Sequence, residues 1–264
     1  MTLSAAVASF CDRTFQVKLG EESAKGKDRR DNLLIDNRLF LSFGVHPKDV
    51  ETFWKYRKAT AQRLKRLMDM SRVVAFGEIG LDFTVAEAMW DRQVSTLEYL
   101  FEALGETIRQ KKLPLVLHVR EREEMPTRRK ATWEIRTVLQ RFFPAEYPIQ
   151  LHYFTGRAVD VESWLEAFPQ THFSVSGAVR NSSAEKKAGV VAIPSDRLLL
   201  ETDAPYAPVT GSFSVPHDIA TTAKYVGQIR RTSETAILAL AHENAKRFFG
   251  LPIGNRAFDR RESV

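Results

Sequence analysis

The chain alternates between two kinds of segment, and this alternation limits the folds open to it more than any other feature. Short runs rich in apolar, β-branched and aromatic residues at 5–10, 39–45, 73–79, 113–119, 149–154, 173–179 and 198–202 predict buried strands. Between them, residues 50–70, 87–112 and 130–142 carry apolar positions at spacings of three and four, the mark of a helix with one buried face. Weaker helical patterns cover 158–168, 183–192, 217–230 and 233–249, and segments 20–36 and 207–216 read as long loops.

Repeated strand–helix units are the sequence form of right-handed parallel crossovers, which cover both faces of a sheet. An open doubly wound sheet and a closed (β/α)8 TIM-type barrel both fit. A length of 264 residues lies near the roughly 250 typical of the barrel and favours it, although seven strands are counted where closure needs eight. No Gly-, Ser- or Pro-rich linker divides the chain, so one domain is expected over 1–264, with an irregular start through 1–38 and a tail at 252–264.

Hydrophobic residues make up 44% and charged residues 27%, a globular balance that excludes wholesale disorder. No apolar stretch approaches the roughly 20 residues of a membrane span, and the amino terminus lacks a basic region followed by an apolar core. A cytoplasmic or nuclear protein with no membrane association and no obligate protein partner is expected. The single cysteine, Cys11, excludes an intrachain disulfide and cannot build a thiolate zinc site alone; it reads as a small buried hydrophobe. The formal charge of +6 and a pI near 9.4 attract polyanions. The basic clusters at 25–30, 120–130 and 256–261 read as solvated loops and tail, so nucleic acid is permitted as a partner without being required.

Titratable residues end five of the strands: His46, Glu78, His118, His152 and Asp203. The carboxyl ends of parallel barrel strands lie on one rim, so these groups converge despite their distance along the chain. Burying them together is costly unless they satisfy one another or a cation, and imidazoles mixed with carboxylates suit a divalent ion. Each histidine alone would read as a hydrogen-bonded core residue; the conjunction makes the site. His172, His217 and His242 fall away from that rim and read as structural.

In order along the chain, "FGVHP" (43–47), "AFGEIGLDF" (75–83), "LPLVLHVRE" (113–121), "LHYFTG" (151–156), "LLLETDAPY" (198–206) and "ENAKRFFGL" (243–251) resemble the motifs of the TatD family of metal-dependent deoxyribonucleases, amidohydrolase-like (β/α)8 barrels. The resemblance covers roughly 39–251 and implies a metal-bridging role for Glu78, metal ligation by His118 and His152, and a ligand and proton-accepting role for Asp203. It also implies a phosphate-directed role for His46. The chain departs from the pattern at its start, because the family's first strand bears His-x-His and the first histidine here is His46. The strand missing from the barrel count and the missing ligand pair are thus one element. Either the chain is a shortened form of an intact enzyme, which its abrupt onset at Met1 favours, or it carries half a metal centre and turns over slowly.

The function implied is hydrolysis of nucleic-acid phosphodiesters by water activated with one or two divalent ions (Mg, Mn or Zn), with Asp203 accepting the proton. Arg120, two residues beyond His118 and so on its strand face, and Arg157, just after "FTG", are candidate phosphate contacts; rim ion pairs are the alternative for both. Asp82 reads as a loop cap lying beyond its strand. An amidohydrolase-like C–N or ester hydrolase, and a non-catalytic nucleic-acid-binding relative, are the other functions this reading leaves open.

Overall fold

The computed structural model describes residues 6–10, 38–122, 129–206 and 213–252. Strands β1 (Ala6–Phe10), β2 (Leu39–Phe43), β3 (Val73–Asp82), β4 (Leu115–Arg120), β5 (Ile149–His152), β6 (Thr171–Val175) and β7 (Leu198–Leu200) form one sheet in chain order. Every neighbouring pair is parallel. A doubly wound sheet reverses its strand order at a switch point, so unbroken chain order selects the barrel type. Seven strands are in place, and among the described residues β1 and β7 are the two edges. Among the described residues the sheet has the seven strands expected from the count of apolar runs.

Helices α1 (Val50–Leu67), α2 (Trp90–Gln110), α3 (Ala131–Phe142), α4 (Ala158–Ala167), α5 (Ala184–Ala192), α6 (Ile219–Arg230) and α7 (Glu234–Phe248) match the periodic segments. In α2 the buried residues Trp90, Gln93, Thr96, Leu97, Leu100, Phe101, Leu104, Gly105 and Ile108 follow the three–four spacing that lays one stripe against the sheet. That stripe meets Phe76, Ile79, Leu81, Leu115 and Leu117 in the main core. Ser233 caps α7 by accepting the Ala236 N–H at 3.1 Å. Asn244 then pins that helix to the start of β7, its amide donating to the carbonyls of Ser195 (2.7 Å) and Leu198 (2.8 Å). No described helix is long and apolar enough to cross a membrane.

Several boundaries differ from expectation. β3 continues to Asp82 rather than ending at Ile79, so Asp82 is the last residue of its strand and not beyond it. Two glycines break the apolar run and conceal the continuation, which is held by pairing with β4 up to Asp82–Arg120 and by the Gln93 side chain on both the N–H and carbonyl of Asp82. β6 starts and ends earlier than expected, and Gly177–Asn181 forms a 3-10 turn in place of its predicted end. Cys11, the loop at 20–36, the basic runs at 25–30 and 256–261, and parts of 120–130, 207–216 and the tail lie outside the described residues.

His172 is buried near the amino end of β6, as a structural histidine should be. Its Nδ1 lies 3.0 Å from the Gln170 carbonyl, and its Nε2 has no hydrogen-bond partner among the described residues. Burial, helped by Arg197 and Arg247, pushes its pKa down to about 4. The unfolded chain therefore binds more protons than the folded one between about pH 4 and the ordinary histidine value, and stability rises with pH through that window. His172→Gln should flatten this part of the profile, removing a slope worth about 3 kcal/mol over its full span; urea midpoints of both proteins from pH 4 to 7 check it, and parallel profiles would refute it.

Candidate metal centre

The site begins with an irregularity in β3. Gly77 pairs with Val116 and Ile79 with Leu117, so Glu78 is the extra residue of a bulge, a device that re-aims a side chain beside functional sites. The flanking glycines make the bulge possible. Gly77 and Gly80 have φ of 148° and 154°, and a Cβ at Gly80 would lie 1.8 Å from the His118 carbonyl oxygen. Only glycine lets β3 approach β4 this closely. Beyond the bulge the face is set by register: Gly80 opposes His118, and His118 opposes His152, so the two imidazoles stand side by side on the inner face.

Glu78 Oε1 is the hub of the cluster. It lies 2.7 Å from His118 Nδ1, 3.8 Å from His152 Nε2 and 3.9 Å from His46 Nε2. His152 Nε2 is also 3.3 Å from Asp203 Oδ1. Ligands about 2.0–2.2 Å from a single ion stand roughly 3–3.5 Å apart, and His152 Nε2 stands at or near that spacing from Asp203 Oδ1 and from Glu78 Oε1. Atoms of His46, Glu78 and His118 also lie within 4.8 Å of one another, a grouping that holds an ion only with the proton moved off His46 Nε2. The donors are imidazole and carboxylate, which suit Mg, Mn or Zn and do not choose among them.

The two central imidazoles each have an outer carboxylate partner. His118 Nε2 faces Asp82 Oδ2 at 3.1 Å, which leaves Nδ1 turned to the cluster. Asp82, fully buried, also accepts from the Thr84 N–H (3.0 Å) and hydroxyl and pairs with Lys48 at 3.3 Å. It is therefore the loop cap expected and, in addition, the residue that orients His118. His152 Nδ1 lies 2.9 Å from Glu201 Oε2, and the other oxygen of Glu201 accepts the Tyr153 N–H at 2.6 Å. Carboxylates behind metal-facing imidazoles fix the tautomer and raise ligand basicity.

Charge follows this geometry. Burial alone would raise the Glu78 pKa, but the surrounding imidazoles, His152 first, bring it down to about 2. Burial would lower His118 and His152, yet their carboxylate partners outweigh it and raise both. His46 goes the other way: burial dominates and pushes it down to about 4, so the ring is neutral near pH 7. Its Nδ1 accepts the Lys48 N–H at 3.1 Å, which leaves the proton on Nε2, pointing into the site as a donor.

Of the residues expected at the rim, Glu78, His118, His152, Asp203 and His46 come together. Arg120 is exposed, with its guanidinium over the Tyr153 ring at 5.4 Å. Arg157 caps α4 and pairs with Asp160 at 3.3 Å, the rim ion pair that was its alternative. His217 sits exposed in the turn before α6 and His242 on α7 beside Glu243. Glu201 went unread in the sequence; it follows the end of β7 at Leu200, two residues before Asp203, whose φ of 56° breaks the strand alternation that would have related them. Glu201→Gln should weaken divalent-ion binding about 10–100-fold by releasing His152; calorimetric titration with Mn²⁺ checks this, and an unchanged affinity would remove Glu201 from the site.

A parallel barrel-type sheet carrying a carboxylate–imidazole cluster at the carboxyl ends of its strands defines a (β/α) barrel protein with a candidate metal site at its rim. Residues 10–250 match the family described as TatD related DNase, and the chain belongs to that family. It is 28% identical to the human 3'-5' RNA nuclease TATDN2, over 93% of this chain and 30% of that protein. It is 33% identical to the 3'-5' ssDNA/RNA exonuclease TatD of Erwinia amylovora, over 64% of this chain and 60% of that one. The chain thus spans less than two thirds of the length of either relative. Among solved structures, YJJV, a TatD homologue from Escherichia coli, superposes with a TM-score of 0.72 at 21% identity, covering 94% of this chain and 87% of that one, which shows the shared fold.

Proposed function

We propose that the chain is a hydrolase of nucleic-acid phosphodiesters that depends on a divalent cation held by Glu78, His118, His152 and Asp203. The observation that carries this reading is the clustering of donors about two atoms: His118 Nδ1 and His152 Nε2 lie 2.7 and 3.8 Å from Glu78 Oε1, and His152 Nε2 lies 3.3 Å from Asp203 Oδ1. The names of the relatives, a 3'-5' RNA nuclease and a 3'-5' ssDNA/RNA exonuclease, supply the substrate class. A cation here would supply Lewis acidity, lowering the pKa of water and offsetting phosphate charge.

The protein's own groups do the rest. Asp203, the least buried of the carboxylates in the cluster, accepts the proton of the attacking water. His46 donates its Nε2–H to a non-bridging phosphate oxygen, where charge develops as the bond to phosphorus forms. Asp82 and Glu201 hold the two ligand imidazoles in the tautomers that direct a lone pair inward. Arg120 adds a fixed positive charge at the rim for the phosphate backbone, whereas Arg157 would first have to leave Asp160.

Incubating the purified chain with an end-labelled single-stranded oligonucleotide and Mg²⁺, Mn²⁺ or Zn²⁺ should give stepwise shortening that EDTA abolishes. An oligonucleotide that stays intact with folded protein in all three metals would overturn the proposal.

A further inference from the structure

Tyr153 directly follows His152 at the end of β5. Its φ of 50° is a left-handed backbone that residues other than glycine rarely adopt. Such strain persists only where neighbouring contacts hold it, and it gathers at functional sites. Here the holder is Glu201: its Oε1 accepts the Tyr153 N–H at 2.6 Å, while its Oε2 lies 2.9 Å from His152 Nδ1. One carboxylate thus ties the backbone of Tyr153 to a proposed metal ligand.

The half-buried ring placed in this way has the Arg120 guanidinium 5.4 Å above its centroid. Two other arginines follow strands at this end of the sheet, and both are engaged elsewhere. Arg122 donates to the Val85 carbonyl at 2.7 Å and pairs with Glu87 at 3.6 Å, and Arg157 pairs with Asp160 at 3.3 Å. Among the described residues Arg120 has the Tyr153 ring and no carboxylate partner. A guanidinium over an aromatic ring is held by the ring face, and its N–H donors remain available for the bidentate grip that suits a phosphate. Restraining the long stem in advance removes part of the entropy that binding would otherwise cost.

Resting on the nuclease reading above, we propose that Tyr153 is a positioning residue for the substrate: its ring holds Arg120 ready for a phosphate of the bound strand. It acts through the arginine and not on the reacting atoms. Glu201 then serves both halves of the site, the metal ligand through His152 and the phosphate contact through Tyr153.

The test is fluorescence anisotropy of a labelled single-stranded oligonucleotide with the full chain in EDTA, followed by cleavage at saturating protein with Mn²⁺ and by calorimetric Mn²⁺ titration. Tyr153→Leu should raise the Kd about two- to fivefold while the saturated cleavage rate and the Mn²⁺ affinity are kept. Tyr153→Phe, which keeps the ring, should match wild type. Arg120→Ala should itself weaken binding, and adding Tyr153→Leu to it should cost nothing more, the non-additivity of residues that act as one unit. No loss in Tyr153→Leu, a loss that persists undiminished beside Arg120→Ala, a loss shared by Tyr153→Phe, or a fall in Mn²⁺ affinity would each overturn the role; wild type that still cut would leave the nuclease reading intact. Folded wild type that neither bound nor cut the oligonucleotide would overturn both.

Discussion

Replacing Glu78 by alanine is expected to drop oligonucleotide cleavage well over ~100-fold, beyond the loss that follows from disturbing an outer partner of a metal ligand. Divalent-ion binding should fall with it. Glu78 Oε1 is the atom nearest to His46, His118 and His152 together, so no neighbour can take its place. The fold should survive. His118 keeps Asp82 and His152 keeps Glu201, and both imidazoles can shed the extra proton that Glu78 helps to hold. Circular dichroism, Mn²⁺ titration and cleavage measured on one preparation check this; folded variant protein that still cut at the wild-type rate would remove Glu78 from the chemistry.

Asp82→Ala should act on the fold as well as on the site. It strips a fully buried carboxylate from His118, Lys48 and Thr84, and breaking a buried charged pair from one side costs about 3–5 kcal/mol. Asp82→Asn separates the two effects. Asparagine can still accept from Thr84, but the atom it turns to His118 Nε2 is then a donor, so the imidazole must move its proton to Nδ1. The nitrogen that faces Glu78 then has no lone pair for a cation. Asp82→Asn should therefore keep most of the stability yet bind Mn²⁺ about 10–100-fold more weakly. Thermal melts alongside metal titrations would decide, and wild-type affinity in Asp82→Asn would show that Asp82 does not set the tautomer of His118.

Much of this was legible in the sequence, for identifiable reasons. Apolar runs and three–four spacing are driven by burial, which acts on every residue of an element, so β1–β7 and the helices could be read with only their ends displaced. The rim could be read because parallel strands bring their carboxyl ends together wherever the residues fall along the chain, which is how His118 and His152 became neighbours on paper. Pairwise geometry could not be read. Nothing in "GEIGLDF" says that Glu78 is an extra residue in its strand, because the flanking glycines remove the alternation that would reveal it. Asp82 and Glu201 are acidic residues of ordinary kinds until a particular imidazole is seen against them. Arg157 looked equivalent to Arg120 until Asp160 took its guanidinium.

The bulge in β3 has a consequence for how such a site can be inherited. Gly77 and Ile79 pair with consecutive residues of β4, so the register along that edge counts one more residue on β3 than on β4. A chain lacking this one residue would retain the pairings on either side, Gly77 with Val116 and Gly80 with His118. The residue at the centre of the proposed chemistry is thus extra to the β3–β4 register, so losing its codon should leave that strand pairing in place while taking away the carboxylate around which the imidazoles gather.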